Sequence, residues 1–313
     1  MDYKPSLLFK NGHISTCYPT IFRKVEIEYE RERIETPDGD FLDIDWLKNG
    51  SKNLLVLCHG LEGSSRSNYI KGIGKYFTKK KWDVLAMNYR GCSGEMNRKP
   101  KFYNMGQIED LHTVLEKTKD YERVVIAGFS LGAGLVLNYL GREKNINDNI
   151  ICGIAVSAPC DALGSSRTFD KKSNSIYRNY FLKKLKRKMA EKIKLFPEEK
   201  HLQDAMNAKT IEDFDNLYTA PQYGYRDAID YYENVSANKV IKNIKLPVLI
   251  LMAEDDPIMS ESCYPKEESK NNPNITLQIT KYGGHVGYVQ LDKDYYWLEE
   301  RMGDYIDKIT GEK

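Results

Sequence analysis

Ser130 lies between two glycines in Gly128-Phe-Ser-Leu-Gly132, with the apolar run 124–127 before it and a helix-patterned segment, 130–140, after it. A serine on a sharp strand-to-helix turn carries its hydroxyl above a sheet, where it can attack a carbonyl. The flanking glycines remove Cβ atoms that would collide with neighbouring backbone. The hydroxyl is a weak nucleophile until a base takes its proton, so a histidine and an orienting carboxylate are required elsewhere. In a sheet of this kind the acid follows a late strand and the histidine follows the last one. Asp255-Asp256 closes the apolar run 248–252, and His285 follows the run 275–279 through Gly283-Gly284. Either aspartate can orient His285, because adjacent side chains leave a strand end in different directions; the other is expected to hold a turn or backbone N–H groups. The catalytic expectation is therefore Ser130, His285 and Asp255 or Asp256. Leu61 and Leu131 are expected to supply the N–H donors that stabilise a developing oxyanion, Leu61 because it follows His59-Gly60 at the end of the run 54–58. His59 is read as a structural hydrogen-bonder under that loop, since His285 already supplies the base.

The elements that must position these groups are written in the hydropathy pattern. Alternation over 25–29 and 41–46 suggests an antiparallel edge, and short wholly apolar runs at 54–58, 84–87, 124–127, 150–157 and 248–252 suggest a parallel sheet covered on both faces. Helix-patterned segments at 69–80, 107–119, 130–140 and 296–309 fall between or after them, so the class is α/β with a mostly parallel central sheet. The rhythm breaks after Pro159: 160–245 holds no strong strand run and is expected to be a helical cap over the carboxyl ends of the strands, inserted into a core of 1–159 and 246–313.

Composition narrows the rest. The chain has 313 residues and a formal net charge of +2, without the basic excess or module of a nucleic-acid binder. No apolar run is long enough to span a bilayer, and the start lacks a signal-peptide core, so a cytoplasmic protein is expected. Six scattered cysteines read as reduced thiols, and neither the histidine spacing nor any glycine-rich loop calls for a metal or a nucleotide cofactor. Arg90, after the 84–87 run, is read as one half of a buried ion pair holding loops together.

Beyond the elbow, the chain carries Gly12-His-Ile-Ser-Thr-Cys-Tyr-Pro19, Thr36-Pro-Asp-Gly-Asp40, His59-Gly-Leu-Glu-Gly-Ser-Ser65, Asn88-Tyr-Arg-Gly-Cys-Ser-Gly94, Phe214-Asp-Asn-Leu-Tyr-Thr-Ala-Pro221, Asp230-Tyr-Tyr232, Asp255-Asp-Pro257 and Tyr282-Gly-Gly-His-Val-Gly287. Together they resemble the YheT-like, ABHD1/ABHD3-type branch of the α/β-hydrolase superfamily, related also to yeast medium-chain ester synthases. Ala133 stands where that family usually has a further glycine. The resemblance implies the α/β-hydrolase fold and a serine carboxylesterase or lipase acting on short- to medium-chain acyl esters or acylglycerols, with the triad named above and no cofactor. Acyl transfer to an alcohol, or thioester cleavage, would use the same acyl-enzyme. A lipid-binding protein without catalysis is the reading from another class, and a complete triad argues against it.

The segment 171–200 holds eleven Lys or Arg against three Glu, with Leu182, Leu185, Met189, Ile193 and Phe196 at helical spacing. Such a helix is expected to pack its apolar stripe on the sheet domain or line the acyl pocket, with solvated lysines; the competing reading is peripheral docking on anionic lipid. The oligomeric state is open.

Overall fold

The computed structural model describes residues 2–312. Eight strands form one sheet in the order β1-β2-β4-β3-β5-β6-β7-β8. They are β1 (Glu30–Glu35), β2 (Phe41–Leu47), β3 (Asn53–Cys58), β4 (Asp83–Met87), β5 (Arg123–Phe129), β6 (Ile150–Val156), β7 (Val248–Ala253) and β8 (Ile275–Thr280). β1 and β2 run antiparallel at one edge, and β3 to β8 are parallel. The register sets Cys58 beside Gly128, Phe129 beside Val156, Val156 beside Leu251 and Ala253 beside Thr280. Every loop that carries a candidate site residue therefore leaves the same edge of the sheet, the place where open α/β sheets bind ligands.

The helices are α1 (Gly12–Phe22), α2 (Asn68–Lys79), α3 (Ile108–Leu115), α4 (Leu131–Arg142), α5 (Ala162–Phe169), α6 (Ser175–Leu195), α7 (Lys200–Ala205), α8 (Ile211–Phe214), α9 (Ala220–Gln222), α10 (Ala228–Val235), α11 (Lys266–Lys270) and α12 (Trp297–Thr310). A π turn, Asp215–Thr219, joins α8 to α9. Alternate strand residues feed two cores. Leu54, Val56, Val124 and Ile126 pack with α3 and α4, whereas Leu55, Leu57, Val125 and Ala127 pack with α2 and α12. Helices alone occupy the described chain between β6 and β7, with a third core of Leu182, Leu185, Met189, Leu202, Phe214 and Tyr218.

One expected strand is displaced. Residues 25–29 show the anticipated in-and-out burial but no strand pairing, and the edge strand is the charged segment Glu30–Glu35. The cause is cross-strand charge: Arg31 binds Asp45 and Arg33 binds Asp43 on β2, each through two hydrogen bonds of 2.7 to 3.0 Å. Arg90 is the expected buried ion pair. Its guanidinium meets Asp110 of α3 at 2.6 Å, Asp38 at 2.7 Å and Asp40 at 3.2 Å, tying the β1–β2 turn and α3 to the loop after β4.

Candidate active site

Ser130 has φ 54° and ψ −121°, a left-handed conformation that a serine adopts only under constraint. Its N–H donates to the Val156 carbonyl at 2.9 Å, and α4 begins at the next residue. The glycines are obligatory on packing grounds. A Cβ on Gly132 would stand 2.2 Å from the Cys58 carbonyl oxygen, and one on Gly128 would stand 2.0 Å from the Gly132 oxygen.

His285 Nδ1 lies 2.8 Å from Asp256 Oδ2, and the Asp256 side chain is fully buried. The other oxygen of Asp256 accepts from the N–H groups of Ile258 at 2.9 Å and Met259 at 3.2 Å, which fixes the carboxylate as a rigid acceptor. Asp255 turns the other way. Its Oδ1 accepts from the Gly284 N–H at 2.8 Å, and its Oδ2 is buried without a partner. Burial pushes the Asp255 carboxyl above the usual range. Of the two adjacent acids, Asp256 meets the imidazole and Asp255 shapes the loop that carries it.

The histidine loop has a second set of supports that the residue-by-residue reading did not assign. The His285 N–H donates to Thr16 Oγ1 at 2.8 Å, Ser15 Oγ donates to the Gly283 carbonyl at 3.0 Å, and the Val286 N–H donates to Ser157 Oγ at 3.2 Å. α1 reaches this loop because Gly12 has no side chain: a Cβ there would sit 1.8 Å from the Asp255 carbonyl oxygen. The signal lay in Gly12-His-Ile-Ser-Thr16, which entered only as part of the resemblance.

His59 is buried, donates from Nδ1 to the Gly60 carbonyl at 2.7 Å and accepts from the Tyr89 N–H at Nε2. Burial drives its pKa down to about 3, so it is a neutral scaffold. Gly60 approaches Ser130 closely, its would-be Cβ 3.2 Å from the serine Cβ, and this brings Leu61 to the elbow. Among the described residues the amides of Leu61 and Leu131 donate to no other protein group. Both residues, with Ser130 and His285, line one cavity of about 990 Å³ including its open mouth. Its walls are mainly apolar, with Phe169, Phe181, Leu185, Ile211, Ile258 and Met259 among them. The Leu182, Leu185 and Met189 stripe of α6 is thus turned inward.

A sheet of this order with a serine elbow and a histidine loop at its carboxyl edge defines a class, and comparison with known proteins gives the same one. The α/β hydrolase fold family matches residues 53–290, and the chain belongs to that family. Within it, the chain falls in the YheT/ABHD3 branch of esterase- and lipase-type proteins. It is 35% identical to YheT of Escherichia coli K12, an esterase by name, across 97% of this chain and 93% of that one. It is 32% identical to the monoacylglycerol lipase of Saccharomyces cerevisiae, across 97% of this chain and 80% of the yeast protein. With phospholipase ABHD3 of Mus musculus it shares 30% identity, across 93% of this chain and 72% of the mouse protein. Among solved structures, the Pyrococcus furiosus esterase Pf2001 superposes with a TM-score of 0.60 at 20% identity, covering 91% of this chain and 92% of that one, a likeness of fold.

Proposed function

We propose that the protein is a serine carboxylesterase acting on short- to medium-chain acyl esters or acylglycerols through an acyl-enzyme. The observation that carries this reading is a strained Ser130 and an Asp256-held His285 opening on one apolar cavity. Ser130 Oγ attacks the ester carbonyl while His285 Nε2 takes its proton, and Asp256 keeps the imidazole in the required tautomer and stabilises the imidazolium. The oxyanion is received by the Leu61 and Leu131 amides. His285 returns the proton to the leaving alcohol, then deprotonates a water that releases the acid. The helices of 160–245 act as the cap, and α6 serves as a packed wall of the pocket, because its apolar stripe is committed to the third core rather than to a lipid surface.

Hydrolysis of p-nitrophenyl esters from acetate to palmitate tests the reading. Activity is expected to peak at one acyl length and to fall by about 10³-fold or more in folded Ser130→Ala. Undiminished turnover in that variant overturns the assignment. Acyl transfer is separated from hydrolysis by product analysis with added alcohol.

A further inference from the structure

Most of the cavity wall is apolar, and one of its polar stretches is tied into a row by hydrogen bonds. Ser166 of α5, Tyr232 of α10 and Asp215 of the π turn form a hydrogen-bonded row along it. The Tyr232 hydroxyl lies 2.6 Å from Asp215 Oδ2 and 2.8 Å from Ser166 Oγ. A phenol has one proton and a carboxylate can only accept, so Tyr232 donates to Asp215 and Ser166 in turn donates to Tyr232. The Thr219 side chain is near enough to the Asp215 carboxyl to favour its ionised form. Every proton of the row runs toward Asp215, and what remains for the cavity is lone pairs. A carboxylate offers about four acceptor positions, and Tyr232 fills only part of them.

Asp215 is half-buried and lines the cavity. The triad has no use for it, because Asp256 already serves His285. A tie between the π turn and α10 needs no charge either: an amide oxygen would accept from Tyr232 with a smaller desolvation penalty. Burial, together with the like charges of Asp170 and Glu212, pushes the Asp215 carboxyl up to about 6. It is still mainly ionised at neutral pH, and any donor entering the cavity stabilises it.

We propose that Ser166, Tyr232 and Asp215 accept a hydrogen bond from a free hydroxyl of the substrate, so that the enzyme selects hydroxyl-bearing esters over plain alkyl esters of equal chain length. The proposal rests on the esterase reading above. A hydroxyl fits better than an ammonium, because a neutral donor enters an apolar wall with far less loss of hydration.

The test compares kcat/KM for ethyl octanoate, glyceryl monooctanoate, ethyl hydroxyoctanoate and the choline ester of octanoate in wild type, Asp215→Asn and Tyr232→Phe. Wild type is expected to favour at least one of the two hydroxylated esters over ethyl octanoate by about tenfold or more. In both variants that ratio should fall toward one; the ratio is read because a merely structural role would lower all esters together and leave it unchanged. Asparagine keeps an acceptor for Tyr232, so Asp215→Asn should remain folded. Cleavage of ethyl octanoate with no hydroxyl preference, a ratio unchanged in both variants, or a choline ester preferred over both hydroxylated ones overturns the subsite while leaving the esterase standing. If no ester is cleaved, the esterase reading fails. Calorimetric binding of glyceryl octyl ether against ethyl octyl ether then decides the subsite, with tighter binding of the glyceryl ether lost in Asp215→Asn as the supporting result.

Discussion

Two adjacent aspartates with different surroundings should behave differently when neutralised. Asp256→Asn leaves the geometry nearly intact but removes the charge that holds and stabilises the imidazolium, so kcat should fall by about 10³- to 10⁴-fold. Asp255→Asn keeps an oxygen for the Gly284 N–H and removes a carboxylate disfavoured by burial. Its kcat should fall by less than about tenfold, with the melting temperature changed by a few degrees at most. Equal losses in steady-state assays of the two variants would contradict the triad as drawn. At this scale the sequence singled out Ser130 and His285 because glycine-flanked turns after apolar strands have few other uses, and the structure brings both to one cavity. It left the acid ambiguous, since the choice turns on which side chain faces the loop after β8. That depends on backbone direction at one residue, which no spacing encodes. Thr16 and Ser157 were hidden for a related reason: a hydroxyl that accepts one backbone N–H has no pattern of its own.

Among the elements, α6 departs most from its sequence reading. Its apolar stripe packs inward as expected, but its lysines are not all solvated. Lys184 Nζ donates to the Glu62 carbonyl at 3.0 Å, and Lys188 Nζ meets Glu62 Oε1 at 2.8 Å and Cys92 Sγ at 2.9 Å. Burial works against the Lys188 charge, yet Cys92 and Glu62 outweigh it and its pKa is raised. Glu62 sits at φ 52°, next to Leu61, and Tyr103 bonds both its N–H and its carboxylate. The helix thereby grips the loop expected to present one oxyanion donor. Lys188→Met should lower kcat more than it raises KM. In a double-mutant cycle with Glu62→Gln the stability losses should be non-additive by about 1 to 3 kcal/mol, measured by denaturant unfolding. Additive losses with unchanged kcat would show that the grip is incidental. Helical periodicity could not disclose it, because a lysine stem is long enough to leave the polar face and reach a loop distant in sequence. The edge strand was hidden in the same manner, its pairing written in Arg and Asp rather than in apolar alternation.

Seen whole, the molecule is a sheet whose fold class is legible from alternating strand and helix runs, closed by a helical block whose seam is polar and was not legible. Lys192 marks that seam. Its side chain is fully buried, with Nζ on the carbonyls of Asn97 and Lys99 and over the rings of Phe102 and Phe196. Burial lowers its pKa to about 7; Asp40 opposes the shift, and Arg90 and Lys188 add repulsion to it. An unfolded lysine titrates near 10.4. Between pH 7 and that value the unfolded chain binds the extra proton, so stability should rise with pH across this window, by up to about 1.4 kcal/mol per unit from this group alone. Below pH 7 both states are protonated and the full penalty of the buried charge remains. Lys192→Met removes that penalty but takes a donor from two carbonyls, of which only that of Lys99 keeps another, Asn97 Nδ2 at 3.1 Å, so its stability at a single pH can shift either way. The slope is the discriminating quantity. Urea unfolding at pH 7, 8 and 9 should show wild type gaining stability relative to Lys192→Met with each step, and parallel profiles would mean that Lys192 stays charged in the fold.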